Sequence, residues 1–171
     1  MSSARGQVVA VALLVGGTWA IGAILPTGGY LGGPATFIDV VSIWWYSLML
    51  SSLASVGWLI VRLAPGARAV RVGGWLLATA AVAAAVGNAL EDAAHVAGAE
   101  YLYGIGLLGT AIAMLALTLA LLWRRRWSLA ALVGGSLAGI AVMAGHGPPI
   151  VPILWLGVAA LVSRQGEPIA D

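Results

Sequence analysis

Cysteine is absent from the chain. That excludes disulfides, thiolate metal sites, cysteine nucleophiles and covalent haem attachment. Lysine is absent too, so every basic residue is an arginine. Only 8% of the residues are charged, against about 25% in an ordinary soluble domain. No basic run carries interleaved polar residues, which leaves nucleic-acid binding without support. What fills the chain instead is apolar: 61% of it is hydrophobic. A soluble fold of this composition has too few polar side chains to cover its surface, so lipid is the expected solvent. The length suits one domain. The Ala- and Gly-rich, Arg-only composition is that of a GC-rich bacterial genome.

A membrane span needs roughly 20 apolar residues. Six segments meet or approach that length. Span one runs from about Val8 to Leu25, too long for the apolar core of a signal peptide, and reads as a retained span. The Pro- and Gly-rich stretch Pro26–Pro34 is a loop. Span two runs from about Phe37 to Val61, span three from Val72 to Leu90, span four from Tyr101 to Trp123, and span five from Ser128 to Gly145. Span six, Ile150–Val162, is short and contains Pro152. The expected fold is an all-α integral membrane protein, a compact single-domain bundle of six transmembrane helices. Five spans plus a re-entrant segment is the alternative.

With six spans, Arg5, the Arg62–Arg71 loop, Arg124–Arg126 and Arg164 all fall on one side. The positive-inside rule makes that side cytoplasmic. The expected location is the plasma (inner) membrane, with both termini in the cytoplasm. The opposite side carries Asp39, Glu91, Asp92, His95, Glu100 and His146.

Asn88, Glu91, Asp92 and His95 stand at i, i+3, i+4 and i+7, a spacing that shares one face of an α-helix. Either carboxylate could hold the imidazole in one tautomer. Ionisable groups inside a span are costly and are commonly functional. Counting from Val72, Glu91 lies roughly 28 Å along its helix, near the outer boundary of a hydrocarbon core about 30 Å thick. A hydrated helix end is therefore the plain alternative to a site. Asp39 and His146 are expected at the same level on other helices.

Trp58, Trp75, Trp123 and Trp127 fit an aromatic belt at the cytoplasmic interface. Trp19, Trp44, Trp45, Tyr46 and Trp155 fall below the outer boundary by roughly 8–13 Å. They are candidates to line a pocket beneath the acidic rim, against ordinary packing as the alternative. Aromatic walls with carboxylates suit a lipophilic substrate or a cationic intermediate.

Gly104-Ile105-Gly106-Leu107-Leu108-Gly109 matches G-x-G-x-x-G. It lies within a span rather than in a βαβ unit, so it reads as a close helix contact and not as a dinucleotide site. Glu91, Asp92, His95 and His146 would suffice as metal ligands if they met, and His95 with His146 could ligate a b-type haem. No local spacing demands either, and no cofactor is expected.

The layout is similar in kind, without any alignable stretch, to small integral-membrane isomerases and terpene cyclases. The expected function is acid–base chemistry on a lipophilic substrate, with Asp39, Glu91, Asp92 and His95 as the catalytic set. Trp19, Trp44, Trp45, Tyr46, Asn88, His146 and Trp155 would bind the substrate. A non-catalytic membrane subunit or lipid-binding protein is the second reading, and a redox protein the third. Membrane lipids are the expected surroundings, and the small-residue faces leave room for homo-oligomers.

Overall fold

The computed structural model describes residues 3–24, 37–64, 66–144 and 150–164. They form six α-helices: α1 (Ala4–Ile24), α2 (Phe37–Leu63), α3 (Arg68–Asn88), α4 (Ala99–Trp123), α5 (Trp127–Ala144) and α6 (Ile150–Arg164). A single π turn, Ala89–Ala93, extends α3.

Each helix boundary has a local cause. Ser3 caps α1, its Oγ accepting the Gly6 N–H at 3.1 Å, which satisfies one of the donors a helix start leaves over. Pro152 sits in the first turn of α6, where no intrahelical donor is lost. At the end of α4 the chain turns through Arg125 with φ 56. The Arg126 N–H then bonds the Leu121 carbonyl at 2.9 Å, and the Arg125 N–H bonds that of Leu122 at 2.9 Å. This pair of bonds is a Schellman motif. The Arg126 carbonyl in turn accepts the Ala130 N–H at 2.9 Å, so one residue closes α4 and opens α5.

Successive helices run antiparallel. Gly57 of α2 meets Gly74 and Ala78 of α3, and Gly106 of α4 meets Ala84 of α3. On α1 and α2, Thr18 Oγ1 lies 3.4 Å from Ser52 Oγ. Gly135 of α5 abuts Trp155 and Leu156 of α6. The starts of α1 and α5 and the ends of α2 and α6 therefore meet at one end, where Ala4, Leu63, Ser128 and Ser163 line a common crevice. Every described arginine lies towards that end, and Arg164 ends α6 there. Glu91, Asp92 and Glu100 lie at the other, where the π turn meets α4.

One core joins all six helices, through Val15 and Trp19, Leu53 and Leu59, Leu77, Met114 and Leu121, Leu132, and Leu156. Many large apolar side chains are exposed. Along α4, Ile105, Leu108, Ile112, Leu115 and Leu119 are all exposed, a stripe at helical spacing. Meanwhile Thr18, Ser47, Ser52, Asn88, Thr110, Ser128, Ser136 and Ser163 are buried. Several of these hydroxyls satisfy themselves on their own helix, Thr110 on Gly106 at 2.7 Å and Ser136 on Leu132 at 2.9 Å.

Among the described residues four stretches are long and apolar enough to cross a membrane: Ala4–Gly22, Trp44–Leu63, Arg68–Asp92 and Ala99–Trp123. Trp127–Val142 and Pro152–Ser163 are apolar but shorter. At about 1.5 Å per residue, α6 measures roughly 22 Å, less than a hydrocarbon core of about 30 Å. It nonetheless packs along α5 and α1 as a full helix of the bundle.

Candidate functional site

The helix α3 does not end as an α-helix. From Ala89 the chain widens into the π turn, and the Ala94 N–H bonds the Ala89 carbonyl at 3.2 Å. The Val96 N–H then reaches back to Leu90 at 2.9 Å. Between them His95 takes φ 51, the left-handed position that commonly closes a helix and that glycine usually holds. Histidine is among the few other residues that enter this region with any frequency. Gly98, with φ 87, completes the reversal into α4.

This geometry corrects the expected single face. A π turn advances by more residues per revolution than an α-helix, so the i, i+3, i+4, i+7 phase is lost after Asn88. Asn88 is buried and points inward, its Nδ2 donating to Ser47 Oγ of α2 at 3.1 Å. Glu91 and Asp92 are partly buried at the bundle edge, while His95 is exposed at the tip. His95 still lies within electrostatic reach of Asp92.

Two tyrosines complete the group. Tyr103 of α4 is partly buried within electrostatic reach of Asp92, Glu91 and Tyr46. Its backbone packs on Gly87, where an added Cβ would meet the Tyr103 N and lie 2.6 Å from its Cα. Glu100 in the first turn of α4 adds a further negative charge near Glu91. The acidic end of the bundle thus gathers Glu91, Asp92, Tyr46, Tyr103, Asn88 and Ser47 from α2, α3, the π turn and α4. Tyr103 was not among the residues expected from sequence. Its signal is the glycine register: Gly87 and Gly106 set the α3–α4 contact, and Tyr103 lies one turn outward of Gly106.

Asp39 lies in the first turn of α2, and its side chain is outside the described residues. It stands eight positions outward of Ser47, about 12 Å along the helix, whereas Glu91 stands three positions, about 5 Å, beyond Asn88. These backbone levels differ, contrary to the single level expected. His146 lies outside the described residues.

The expected aromatic pocket divides differently. Trp19 is 1% exposed and belongs to the core, its ring packed on Gly139 of α5. Its Nε1 has no hydrogen-bond partner among the described residues. Trp45 is partly buried and ties α2 to α1, donating from Nε1 to the Thr18 carbonyl at 2.8 Å. Trp44 and Trp155 are exposed and face away from the bundle interior. Tyr46, the remaining aromatic of the set, is partly buried and packs against the core.

A second feature lies on the α3–α4 face of the bundle. Between α3 and α4 an open apolar groove, about 1280 Å³ with open solvent included, is lined by small residues, among them Gly73, Ala80, Ala83, Gly106 and Gly109, with Ile105 and Ile112 on its flank. Its α3 stripe, Gly73, Leu76, Ala80 and Ala83, runs by helical spacing up to Gly87, where the Tyr103 backbone closes the α3–α4 contact. Among the described residues no three His, Asp or Glu side chains lie close enough to share a metal ion. Comparison with family models, curated proteins and solved structures yields no match to this chain.

Proposed function

We propose that the chain is a six-span protein of the inner membrane, with its arginine-rich end in the cytoplasm and an acid–base site at its outer end. The membrane reading rests on the inverted distribution of polarity. Exposed leucine and isoleucine stripes with buried Ser, Thr and Asn suit lipid and would be untenable as a monomer surface in water. The orientation follows from the arginines.

The site reading rests on one observation: two carboxylates on a π turn lie within electrostatic reach of Tyr103 of α4, which is itself within reach of Tyr46 of α2. π turns inside helices are frequently functional. The substrate is a lipophilic molecule whose apolar body lies in the α3–α4 groove and whose reactive end meets Glu91 and Asp92. One carboxylic acid gives a proton to an alkene or epoxide, and the neighbouring carboxylate removes one from an adjacent carbon. The net change is an isomerisation, so no outside oxidant or reductant is needed. The faces of Tyr46 and Tyr103 stabilise the positive charge that develops between the two steps. Asp39 and His95 serve at the rim.

The test compares total lipid extracts, by mass spectrometry with isomer separation, from cells making the wild-type chain, Glu91→Gln or Asp92→Asn. A carboxamide keeps the size and loses the proton. The expected result is a lipid isomer whose abundance rises with the wild type alone, while all three proteins unfold at the same temperature in detergent. Identical extracts would favour a non-catalytic subunit, a reading that the small-residue groove also suits as a helix-docking face.

A further inference from the structure

The opposite end of the bundle carries a crevice with a different chemistry. It is a shallow crevice of about 410 Å³ with the open solvent at its mouth included, and its walls come from four helices and one turn. Arg5 of α1 and Arg126 at the α4–α5 turn face it, with Ser128 of α5 and Ser163 of α6 alongside and Val8, Leu63 and Leu129 beneath. Arg126 is held firmly, because its N–H closes α4 and its carbonyl opens α5. Ser128 and Ser163 are buried, and the Ser163 hydroxyl donates to the Ala160 carbonyl at 2.8 Å.

Among the described residues the charges around this crevice are of one sign. Two helices begin beside it, α1 and α5, and neither carries an acidic residue in its first turn. A helix start has partial positive charge and favours anions. Here it is given arginines instead, which raise the positive potential. The cap of α5 is Arg126, a side chain that donates hydrogen bonds and accepts none. Arg62, stacked 5.2 Å over the Trp58 ring, precedes Leu63 on the crevice wall. Among the described residues every carboxylate lies at the other end of the bundle.

We propose that this crevice binds a phosphate oxyanion, gripped by the Arg5 and Arg126 guanidiniums with its remaining substituent over Val8, Leu63 and Leu129. Guanidinium forks match phosphate oxygens two at a time. The apolar floor admits the glycerol end of an anionic lipid headgroup, and the inner leaflet is rich in such lipids. The same oxyanion chemistry could come from free phosphate. The lipid source rests on the cytoplasmic assignment of this end; the binding itself does not.

The experiment measures thermal unfolding of the full chain in a neutral detergent. The titrants are dihexanoyl phosphatidylglycerol, dihexanoyl phosphatidylcholine and inorganic phosphate. The expected result is a rise of roughly 5–10 °C at a hundredfold excess of the anionic lipid over its Kd, with none from phosphatidylcholine. Arg5→Gln and Arg126→Gln should each weaken the apparent Kd about tenfold or more, as expected for a charge-assisted fork. Arg68→Gln, an exposed arginine outside the crevice, should leave it unchanged. Arg126→Lys keeps the charge and loses the fork, and should also bind more weakly; it carries the test should Arg126→Gln fail to fold. An equal response to inorganic phosphate would support the site and assign it to free phosphate. Equal losses in all the arginine variants would mean diffuse screening and overturn the proposal, as would no response to either anion. Binding that appears only after Glu167→Gln with Asp171→Asn would mean that the chain's own tail fills the crevice, which also overturns it. None of these readouts depends on which side of a membrane the crevice faces.

Discussion

At the scale of single residues, Asn88 and His95 show how one short segment divides its labour. Asn88 is buried and bonded to Ser47 across the α2–α3 contact. Polar bonds between spans average only about 0.6 kcal/mol, with a maximum near 1.7. Asn88→Ala should therefore lower stability by about 1 kcal/mol, through the lost bond and a small void. Chemical unfolding in mixed micelles measures this, and a loss restricted to the start of α2 and the end of α3 should appear in hydrogen exchange. His95 contributes through its backbone. In the left-handed region a side chain costs roughly 1–2 kcal/mol relative to glycine. His95→Gly should leave the protein as stable or up to about 1 kcal/mol more stable, whereas His95→Val should cost about 1–2 kcal/mol or more because a β-branched residue is worse there. The same unfolding assay separates the two. Sequence spacing put these residues on one face because it assumed continuous α-helix. The π turn that breaks the phase has no marker in Ala89-Leu90-Glu91-Asp92-Ala93, since nothing in that composition distinguishes it from an ordinary helical turn.

At the scale of elements, helix identity was readable and helix depth was not. Six apolar stretches became six helices, with ends within a few residues of the expected ones, because long apolar runs and Pro–Gly interruptions carry that information directly. Which face of each helix turns inward was harder to read, since the chain is apolar on both sides. Trp19 shows this: its neighbourhood suggested a pocket wall, yet it packs on Gly139, four helices further along the chain. Glycine is the better guide to such contacts. Gly106 lies against the α3 backbone, where an added Cβ would meet the Ala84 N, with Ala84 Cα at 2.8 Å. Backbone cannot yield as a side chain can. Gly106→Val should cost about 1–3 kcal/mol by overpacking and push α3 from α4. Gly104, in the same helix, has nothing within 4 Å of its Cβ position. Gly104→Ala should be neutral or stabilise by up to about 1 kcal/mol through helix propensity. Thermal unfolding of the two variants side by side checks the register of the α3–α4 contact.

At the scale of the whole molecule, charge is sorted along the bundle axis. The arginines gather at one end and the described carboxylates at the other, and a bundle of antiparallel helices turns that sorting into two different surfaces. The acidic end carries the proposed chemistry and the basic end the proposed anion crevice. The proposed chemistry and the lipid source for the crevice depend on the bundle standing across a membrane with every helix traversing it, including the short α5 and α6. The absence of native cysteine makes that claim directly measurable. Single substitutions Thr27→Cys, Ala97→Cys and Gly147→Cys are placed in the three connections at the acidic end, and Ser3→Cys and Gly66→Cys at the basic end. Each is exposed to a membrane-impermeant maleimide in intact bacterial cells, then again after permeabilisation. The account predicts that the first three label in intact cells and the last two only after permeabilisation. Labelling of Ser3→Cys or Gly66→Cys from outside, or failure of Thr27→Cys, Ala97→Cys or Gly147→Cys to label until the membrane is opened, would contradict it.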